Sequence, residues 1–442
     1  MRKNMVLKLL VLFLISMGML IALSSIDGLA RERKDRSAAV QRNIAESYAR
    51  SQRIIGPVFT VQFRECWNER KYNRETDTWY EEELSADRIH VVYPARYAYS
   101  GKMEVEERYR GIFKANIFQT EGAIEGEVVF PEWESLRTRQ GSGLELLSVE
   151  AHMILSDLRG LTRVPAFFWQ DKTLEIEPGS ELDFAGSGIH TTLPESAELF
   201  GARFGFEVEL AVHGMGEVTF VPVGDQNCIR LSSAWPHPSF TGDFLATERT
   251  VSENGFSAEW NVNGLASTVQ QDLSHARKGR LQEMGVSLMD PVNVYSLTDR
   301  ALKYGFLFIF ITFAAFFLFE MLAALRIHPV QYVFVGLAQA VFFLLLLSLS
   351  EHIGYGFSYL TATVATVLLI TVYLCHVLCG VGRGGLFGGL LLLLYGVLYA
   401  LLQSEDHALV AGSALVFGLI ALTMMLTRKV DWYTLSAKSG QP

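Results

Sequence analysis

A nearly continuous apolar block, residues 304–427, restricts this chain more than any other feature of the sequence. Lipid offers exposed backbone no hydrogen-bond partner, so a chain crosses a hydrocarbon core of about 30 Å as helices of about 20 apolar residues. Five segments of the block have that length, and Glu320 is their one charged residue; they are 304–325, 330–350, 353–375, 384–403 and 408–427. We therefore predict a five-helix transmembrane bundle over residues 301–430.

A further apolar run, residues 6–26, follows the basic N-terminus Met1-Arg-Lys3. This pattern is typical of a cleaved signal peptide and also of an uncleaved anchor. The run is longer than a usual signal core, and Ala22-Leu-Ser24 is only a fair cleavage site. The pattern favours an N-terminal membrane anchor over residues 1–28, which brings the number of spans to six.

The basic residues of the short loops fix the orientation, because Lys and Arg are retained on the cytoplasmic side. With the N-terminus inside, the inner loops and tails hold Arg2, Lys3, Arg326, Arg383, Arg428, Lys429 and Lys438. The outer short loops, at 351–352 and 405–407, hold no Lys or Arg. Residues 31–36 are an exception to this rule: they follow the first span on the predicted outer side and hold four bases and two acids. Both termini, including the tail 431–442, are predicted to be cytoplasmic, and residues 27–300 periplasmic.

The external part is strongly acidic. Residues 27–300 hold 29 of the 38 Lys and Arg residues and 42 of the 47 acids, a net charge of −13. Such a surface repels nucleic acid, so no nucleic-acid partner is expected. The expected partners are the lipid bilayer and envelope components or other inner-membrane proteins. Residues 29–54 predict a juxtamembrane helix, because Val40, Ile44 and Tyr48 recur every four residues. Pro57 follows its predicted end.

Beyond this helix the hydrophobic period changes to two. The alternation is clear over 59–63 and 204–212, and shorter strands are predicted at 89–93, 173–176 and 229–232. Gly214-Met-Gly216 separates the second run from Val218 and Phe220, which predicts a hairpin. Many short strands with Gly and Pro turns favour an all-β, sandwich-like domain over residues 55–300.

Motifs for catalysis, cofactors or metals are absent or isolated. Gly380-Val-Gly-Arg-Gly-Gly385 matches the dinucleotide pattern, but it follows a membrane helix rather than a strand, so we interpret it as a flexible cytoplasmic loop. His190 is isolated in strand-and-turn sequence. Cys66 and Cys228 could pair in an exported domain, and the sequence leaves this open. We expect no enzymatic activity, cofactor or metal.

The segment Trp235-Pro-His-Pro-Ser-Phe240 has two readings. Its two prolines hold the backbone around His237 extended, so the aromatic residues could form a rigid recognition surface. The alternative, which we favour, is a corner of the β domain with Trp235 in the core.

Glu320 is the most informative single residue, because a carboxylate within a span is usually paired or functional. Arg326 and His328 follow near the inner boundary, within reach of a long side chain, so a structural ion pair is favoured over a proton or ligand role. On the outer side, Glu351-His352 and Glu405-Asp-His407 could form a cation or proton site. Solvated loop ends are the preferred interpretation there.

Several strings stand out in order along the chain: Ile55-Gly-Pro57, Trp235-Pro-His-Pro-Ser-Phe240 with Gly242-Asp-Phe-Leu245, Leu297-Thr-Asp-Arg-Ala301, Phe319-Glu320, Arg326-Ile-His-Pro-Val-Gln-Tyr332, Leu347-Ser-Leu-Ser-Glu-His352 and Asp431-Trp-Tyr433. In this order they resemble the CreD family of bacterial inner-membrane proteins. The resemblance implies an uncleaved first helix, an inner-membrane location and a role in cell-envelope integrity and stress response, with expression under a two-component regulator. It implies no established enzymatic activity.

Two functions of different classes follow. The first is an envelope-integrity protein whose external β domain is a binding or scaffolding module. The second is a transporter or channel component with an ion path through the C-terminal helices, although the spans show no repeat symmetry.

Overall fold

The computed structural model describes residues 2–428 with internal gaps; the residues outside the description are 1, 74–76, 181, 183–186, 195–196, 275–278, 289–293, 323–326, 379, 404–409, 411, 415–416, 419–420, 422–423, 426–427 and 429–442. The chain divides into two compact units. One comprises Met1–Ala38 and Val292–Pro442, and the other comprises Ala39–Pro291.

The helices are α1 (Arg2–Ser47), α2 (Val269–Ser274), α3 (Val294–Leu322), α4 (Pro329–Ile353), α5 (Tyr355–Val377) and α6 (Val381–Gln403). All except α2 are long and apolar enough to cross a membrane. Five of the six predicted spans are therefore found. The sixth, 408–427, lies mostly outside the described residues.

The first helix is part of the helical unit rather than a detached anchor. Met19 and Leu23 of α1 are 7% and 5% exposed. Two glycines allow this close packing, because a Cβ on Gly336 would lie 2.9 Å from the Met19 sulfur and one on Gly305 would lie 3.2 Å from Leu23 Cδ2. Small residues let membrane helices approach closely, and α1 uses such sites on α3 and α4.

The glycine-rich stretch 380–385 is not the flexible loop that the sequence predicted. From Val381 onward it is the start of α6. A Cβ on Gly384 would lie 2.7 Å from the Cα and the backbone N of Cys375, and one on Gly388 would lie 2.2 Å from Thr371 Oγ1. The glycines therefore serve a close α5–α6 crossing, which a sequence pattern of glycines alone does not distinguish from a mobile loop.

The second unit contains sixteen described strands. They are β1 (Gln52–Asn73), β2 (Thr78–Val92), β3 (Pro94–Arg110), β4 (Phe113–Val129), β5 (Gly143–Leu155), β6 (Ala166–Trp169), β7 (Lys172–Leu174), β8 (Glu177–Pro178), β9 (Gly188–Thr192), β10 (Arg203–Met215), β11 (Glu217–Phe220), β12 (Gln226–Ser233), β13 (Pro238–Gly242), β14 (Glu248–Ser252), β15 (Gly255–Asn263) and β16 (Met284–Leu288).

The strands form two eight-stranded sheets. The first has the order β13-β16-β11-β1-β5-β9-β8, with β2 also paired to β1, and the second has the order β14-β15-β12-β3-β4-β10-β6-β7. Two described pairs are parallel, β1 with β11 and β12 with β3. The predicted β-rich domain is thus confirmed as a large β-sheet unit.

Both sheets contribute to one aromatic-rich core. Phe59 of the first sheet contacts Phe206 of the second, with ring centroids 5.4 Å apart. Tyr99 and Phe220 make a second contact of this kind at 4.4 Å. These side chains are almost completely buried, and burial of such large apolar surfaces is the main stabilising contribution to a fold of this type.

Two local predictions differ from the structure. The helix predicted over 29–54 ends at Ser47, and β1 begins at Gln52. The β-branched pair Ile54-Ile55 joins the sheet, where Ile54 lies opposite Phe220 and Leu155. The predicted hairpin at 214–216 is also wrong: β10 pairs with β4 and β6, whereas β11 pairs with β1 and β16. Gly216, with φ of 80°, turns the chain from one sheet to the other.

Candidate functional site

Glu320, near the end of α3, is the centre of a closed polar cluster in the helical unit. Its carboxylate forms an ion pair with the Lys8 ammonium of α1. It also accepts hydrogen bonds from the Tyr332 hydroxyl at 2.8 Å and from the backbone N–H of Ile327 at 3.2 Å. Lys8 donates a second hydrogen bond, of 2.9 Å, to the Ile327 carbonyl. The charge of Glu320, which is 8% exposed, is therefore balanced and its oxygens are hydrogen-bonded.

The predicted neighbours of Glu320 have other surroundings. Arg326 lies outside the described residues. His328 is the N-cap of α4, where its Nδ1 accepts from the Val330 N–H at 3.4 Å and its own N–H donates to the Gln331 side chain at 3.1 Å. Pro329 takes the first helical position, which is pre-organised for a proline. His328 thus starts a helix and makes no described contact with Glu320.

Glu351, at the other end of α4, has a second cluster of the same kind. Its side chain is 7% exposed, and its Oε2 lies 3.8 Å from an Arg33 nitrogen of α1. The Tyr295 hydroxyl donates to its Oε1 at 3.1 Å. The neighbouring His352 is exposed. The predicted companion residues 405–407 lie outside the described residues, so the structure does not place them against Glu351.

The two clusters share one chemistry: a carboxylate from the α3–α4 pair, a tyrosine hydroxyl from the same pair, and a cation from α1. Lys8 and Arg33 are 25 positions apart on one continuous helix, which corresponds to about 37 Å at 1.5 Å per residue. A hydrocarbon core is about 30 Å thick. The spacing therefore suits two ion pairs that flank an apolar layer, one near each boundary.

Four of these residues were not found from the sequence: Lys8, Arg33, Tyr295 and Tyr332. Lys8 carried a signal, since it is a lone cation inside the first apolar run. A charge in a span requires a partner, and Glu320 is the one acid within the predicted C-terminal spans. The two tyrosines carried no signal, because aromatic residues are common at membrane boundaries for other reasons.

A further polar contact lies in the interior of the helical unit. Gln339 of α4 donates from Nε2 to Thr312 Oγ1 of α3 at 2.6 Å, and both side chains are buried. Hydrogen bonds of this kind commonly hold membrane helices together. No group of three or more His, Cys, Asp or Glu residues that could hold a metal ion is found among the described residues.

Trp235 and His237 lie at a corner of the β unit. The segment connects β12 of the second sheet to β13 of the first. The Trp235 indole packs against the core and donates to the His237 carbonyl at 3.1 Å, while the His237 side chain is exposed. The segment that contains both residues carries the chain from the second sheet to the first.

A third buried carboxylate, Glu65 of β1, is held by a loop. It accepts from the Thr138 hydroxyl at 2.6 Å, the Ser142 hydroxyl at 2.7 Å and the Arg139 N–H at 3.0 Å, and it pairs with Arg88 at 2.8 Å. The Thr138 hydrogen bond is the main cause that lowers the pKa of Glu65 to about 2. All its acceptor positions are used within the domain, so this anion is structural.

Among the described residues of the β unit, the histidines and cysteines are not arranged as a catalytic group. His190 lies beside the buried His152, with ring centroids 6.0 Å apart, and its Nδ1 is 3.1 Å from the Gly179 carbonyl oxygen. His152 was not singled out from the sequence, since it is an isolated histidine in a strand. Cys66 and Cys228 are both free thiols.

Two comparisons with known proteins indicate the same family. The family model described as inner membrane protein CreD matches residues 4–433. Inner membrane protein CreD of Escherichia coli (strain K12) is 34% identical over 411 residues, which cover 92% of this chain and 88% of that protein. A solved structure of an M1 zinc metallopeptidase from Deinococcus radiodurans shares 10% identity over 44% of this chain and 42% of its own, with a TM-score of 0.23. That likeness carries no argument.

Proposed function

The chain belongs to the CreD family of inner membrane proteins, and on this premise we propose that it maintains cell-envelope integrity through a periplasmic β domain that binds or scaffolds envelope components. In this proposal the helical unit is an anchor and the protein is not an enzyme. Its role belongs to the response to envelope stress, as the sequence resemblance implied.

The observation that carries the proposal is the pair of closed clusters at Glu320 and Glu351. Each carboxylate has a cation and a tyrosine hydroxyl from within the helical unit. Charges that are satisfied in this way hold helices in register, whereas an ion path requires groups that exchange their partners. The β unit, which is more than half of the chain, is then the part available for binding.

The packing of α1 supports an uncleaved N-terminal anchor. Cleavage near Ala22-Leu-Ser24 would remove Lys8 and Met19 from the folded protein. Glu320 would then be a buried carboxylate without its described cation, which typically costs about 3–5 kcal/mol.

For the topology we propose six spans, both termini in the cytoplasm and the β sandwich in the periplasm. The seven-to-zero distribution of Lys and Arg over the short loops supports this orientation. Arg33, at the outer cluster, belongs to the one stretch that opposed the rule. Its pairing with the buried Glu351 gives that charge a structural reason to lie there.

The transporter or channel component is the alternative. The buried Gln339–Thr312 contact is the feature that suits it, because polar side chains in a bundle interior can line a path. Glu320→Gln separates the two functions. If the helices form an ion path, the Glu320→Gln protein should be as abundant as the parent but inactive. If the helices are an anchor, the variant should be less abundant, and its activity should fall in proportion to the amount of protein that remains.

The direct experiment is complementation of a deletion strain, with envelope permeability to a hydrophobic dye as the readout. We expect the deletion to raise permeability, the full chain to restore it, and a chain whose α1 is replaced by a cleavable signal peptide to fail. Photo-crosslinkers on exposed residues of the β unit should capture envelope components. A deletion strain with normal permeability under envelope stress would contradict the proposal.

A further inference from the structure

The hairpin of β1 and β2 extends beyond the sheet to which it belongs. Pairing of β5 with β1 ends at Cys66, whereas β1 and β2 continue to pair from Trp67 with Leu84 to Asn73 with Thr78. We call residues 67–73 and 78–84 the arm. A two-stranded ribbon is only marginally stable in water. The arm therefore presents side chains and backbone that no third described strand covers.

The side chains of the arm are those that dominate protein interfaces. Tyr72 and Trp79 lie opposite each other, with ring centroids 5.2 Å apart and side chains that are 44% and 60% exposed. The Arg70 guanidinium lies 5.6 Å from the Trp79 ring centroid. Tyr80, on the other face, is 46% exposed. Trp, Tyr and Arg are the residues most enriched at binding hot spots.

The outer edge of β2 is open. Its described strand pairing is with β1 alone, over all fifteen residues of Thr78–Val92, with no register shift and no proline to block the edge. Open edges accept a further strand through backbone hydrogen bonds. The edge strand is nevertheless kept from pairing indiscriminately, because it carries three consecutive acids, Glu81-Glu82-Glu83.

These acids indicate the charge of the partner. Glu82 pairs with Lys71 of the arm, but no ion pair is described for Glu81 or Glu83. Because side chains alternate along a strand, Trp79, Glu81 and Glu83 lie on one face. A second copy of the chain would bring the same acids to the edge. An extended segment with Lys or Arg at alternate positions would instead complement this face.

The arm lies far from the points where the chain joins the β unit. The two connections are adjacent: the Met215 N–H donates to the Arg50 carbonyl at 3.3 Å, and the Leu288 N–H donates to the Gly216 carbonyl at 2.7 Å. From Gln52 to Trp67, β1 advances fifteen residues, or about 50 Å at 3.3 Å per residue. The arm is thus at the end of the unit remote from both connections.

We propose that the arm docks an extended basic segment of another envelope protein, which adds as a strand to the outer edge of β2. The incoming strand places basic side chains against Glu81 and Glu83 and the alkyl stem of a further basic side chain against Trp79, on the face that the three residues share. This inference rests on the proposed binding function and names the class of partner.

The test uses the full chain in nanodiscs of zwitterionic lipid and two fluorescent ten-residue peptides. One peptide alternates lysine and valine, and the other has the same charge but proline at two central valine positions. Fluorescence anisotropy should show at least tenfold tighter binding of the alternating peptide, because proline cannot complete the backbone ladder. Trp79→Ala should weaken that binding about tenfold. The double variant Glu81→Gln with Glu83→Gln leaves the aromatic contacts of the arm intact and should also weaken binding about tenfold.

Matched controls lie on the β3–β4 hairpin. Tyr109→Ala removes an aromatic side chain that is 63% exposed, and Glu104→Gln removes an exposed acid; neither should alter binding. Equal binding of both peptides, or arm variants that bind as the parent does, would overturn the inference in favour of general attraction to an acidic domain. The peptide-binding measurement reports on the arm alone. It can therefore fail while the permeability assay of the proposed function succeeds, and it can succeed while that assay fails.

Discussion

Glu320 and Glu351 show what a carboxylate requires inside an apolar bundle. Removing a charge from water is costly, and the loss is offset only by a close counter-charge together with hydrogen bonds to the remaining lone pairs. Both residues obtain these from a cation of α1 and a tyrosine. The side chains therefore make α1 and the bundle interdependent.

The Lys8–Glu320 pair gives the first prediction. Lys8→Met and Glu320→Gln should each destabilise the protein, Lys8→Met by about 3–5 kcal/mol because it leaves a buried carboxylate without its cation. The double variant should be more stable than the sum of the single effects predicts. The measurement is unfolding of the purified protein in mixed micelles, followed by far-ultraviolet circular dichroism, which reports the loss of helix.

The exposed pair Lys303–Asp299 is the control for this cycle, because its lysine is 70% exposed. Lys303→Met should change stability by well under about 1 kcal/mol. Strict additivity of Lys8→Met and Glu320→Gln would show that the two groups do not interact. The same cycle with Arg326 tests the partner that the sequence suggested.

Glu65 gives a prediction about acid stability. Its pKa is lowered from 4.5 to about 2, so the folded state holds its proton less tightly than the unfolded chain does. The resulting stabilisation is complete above about pH 5 and is lost as the pH falls toward 2. Glu65→Gln should therefore be less stable than the parent at pH 7, and the difference should shrink on acidification. A difference that is constant from pH 7 to pH 3 would exclude the ionised carboxylate as its source.

At the scale of single elements, α5 and α6 illustrate packing without a hydrophobic driving force. Lipid tails are as apolar as the helices, so close backbone approach supplies much of the attraction between them. Gly384 and Gly388 lie one turn apart on α6 and face Cys375 and Thr371 of α5. The adjacent Gly385 and Gly389 have no atom within 4 Å of an added Cβ.

These neighbouring glycines provide a matched pair for the third prediction. Gly384→Ala should destabilise the protein, because its methyl group would meet the α5 backbone at 2.7 Å. Gly385→Ala meets open space and should be neutral or stabilising by up to about 1 kcal/mol, since alanine favours helix. Thermal unfolding in detergent measures both. Equal effects of the two substitutions would contradict the proposed crossing.

Some of these elements could be predicted from the sequence and others could not, for physical reasons. Span positions follow from composition, so the spans predicted at 330–350, 353–375 and 384–403 lie within a few residues of α4, α5 and α6. The helices α1 and α3 extend well beyond the apolar runs 6–26 and 304–325, because their outer parts are polar. The partner of β11 could not be predicted, because local alternation does not say to which sheet a strand belongs. The Lys8–Glu320 pair joins residues 312 positions apart, and only the lone charges themselves pointed to it.

For the whole molecule, the testable property is topology. Reporter fusions after residues 326, 383 and 430 should report cytoplasm, and fusions after 352 and 406 should report the periplasm. The physical reason is the retention of Lys and Arg on the inner side. A periplasmic signal at 383 would contradict the six-span arrangement. A fusion after residue 406 that reports cytoplasm would place the last segment outside the bundle.

The pairing of α1 with helices that follow the β unit has a consequence for biogenesis. A ribosome that adds about 5–20 residues per second needs roughly 15–60 s to proceed from Lys8 to Glu320. In the proposed topology, the nascent first helix waits in the membrane without its counter-charges during that interval, while the β unit, Ala39–Pro291, is exported. The two ion pairs of the first helix can therefore form only after Glu320 and Glu351 have been synthesised and inserted. Two separately synthesised fragments, divided within the β unit, should accordingly reassemble around the same two ion pairs.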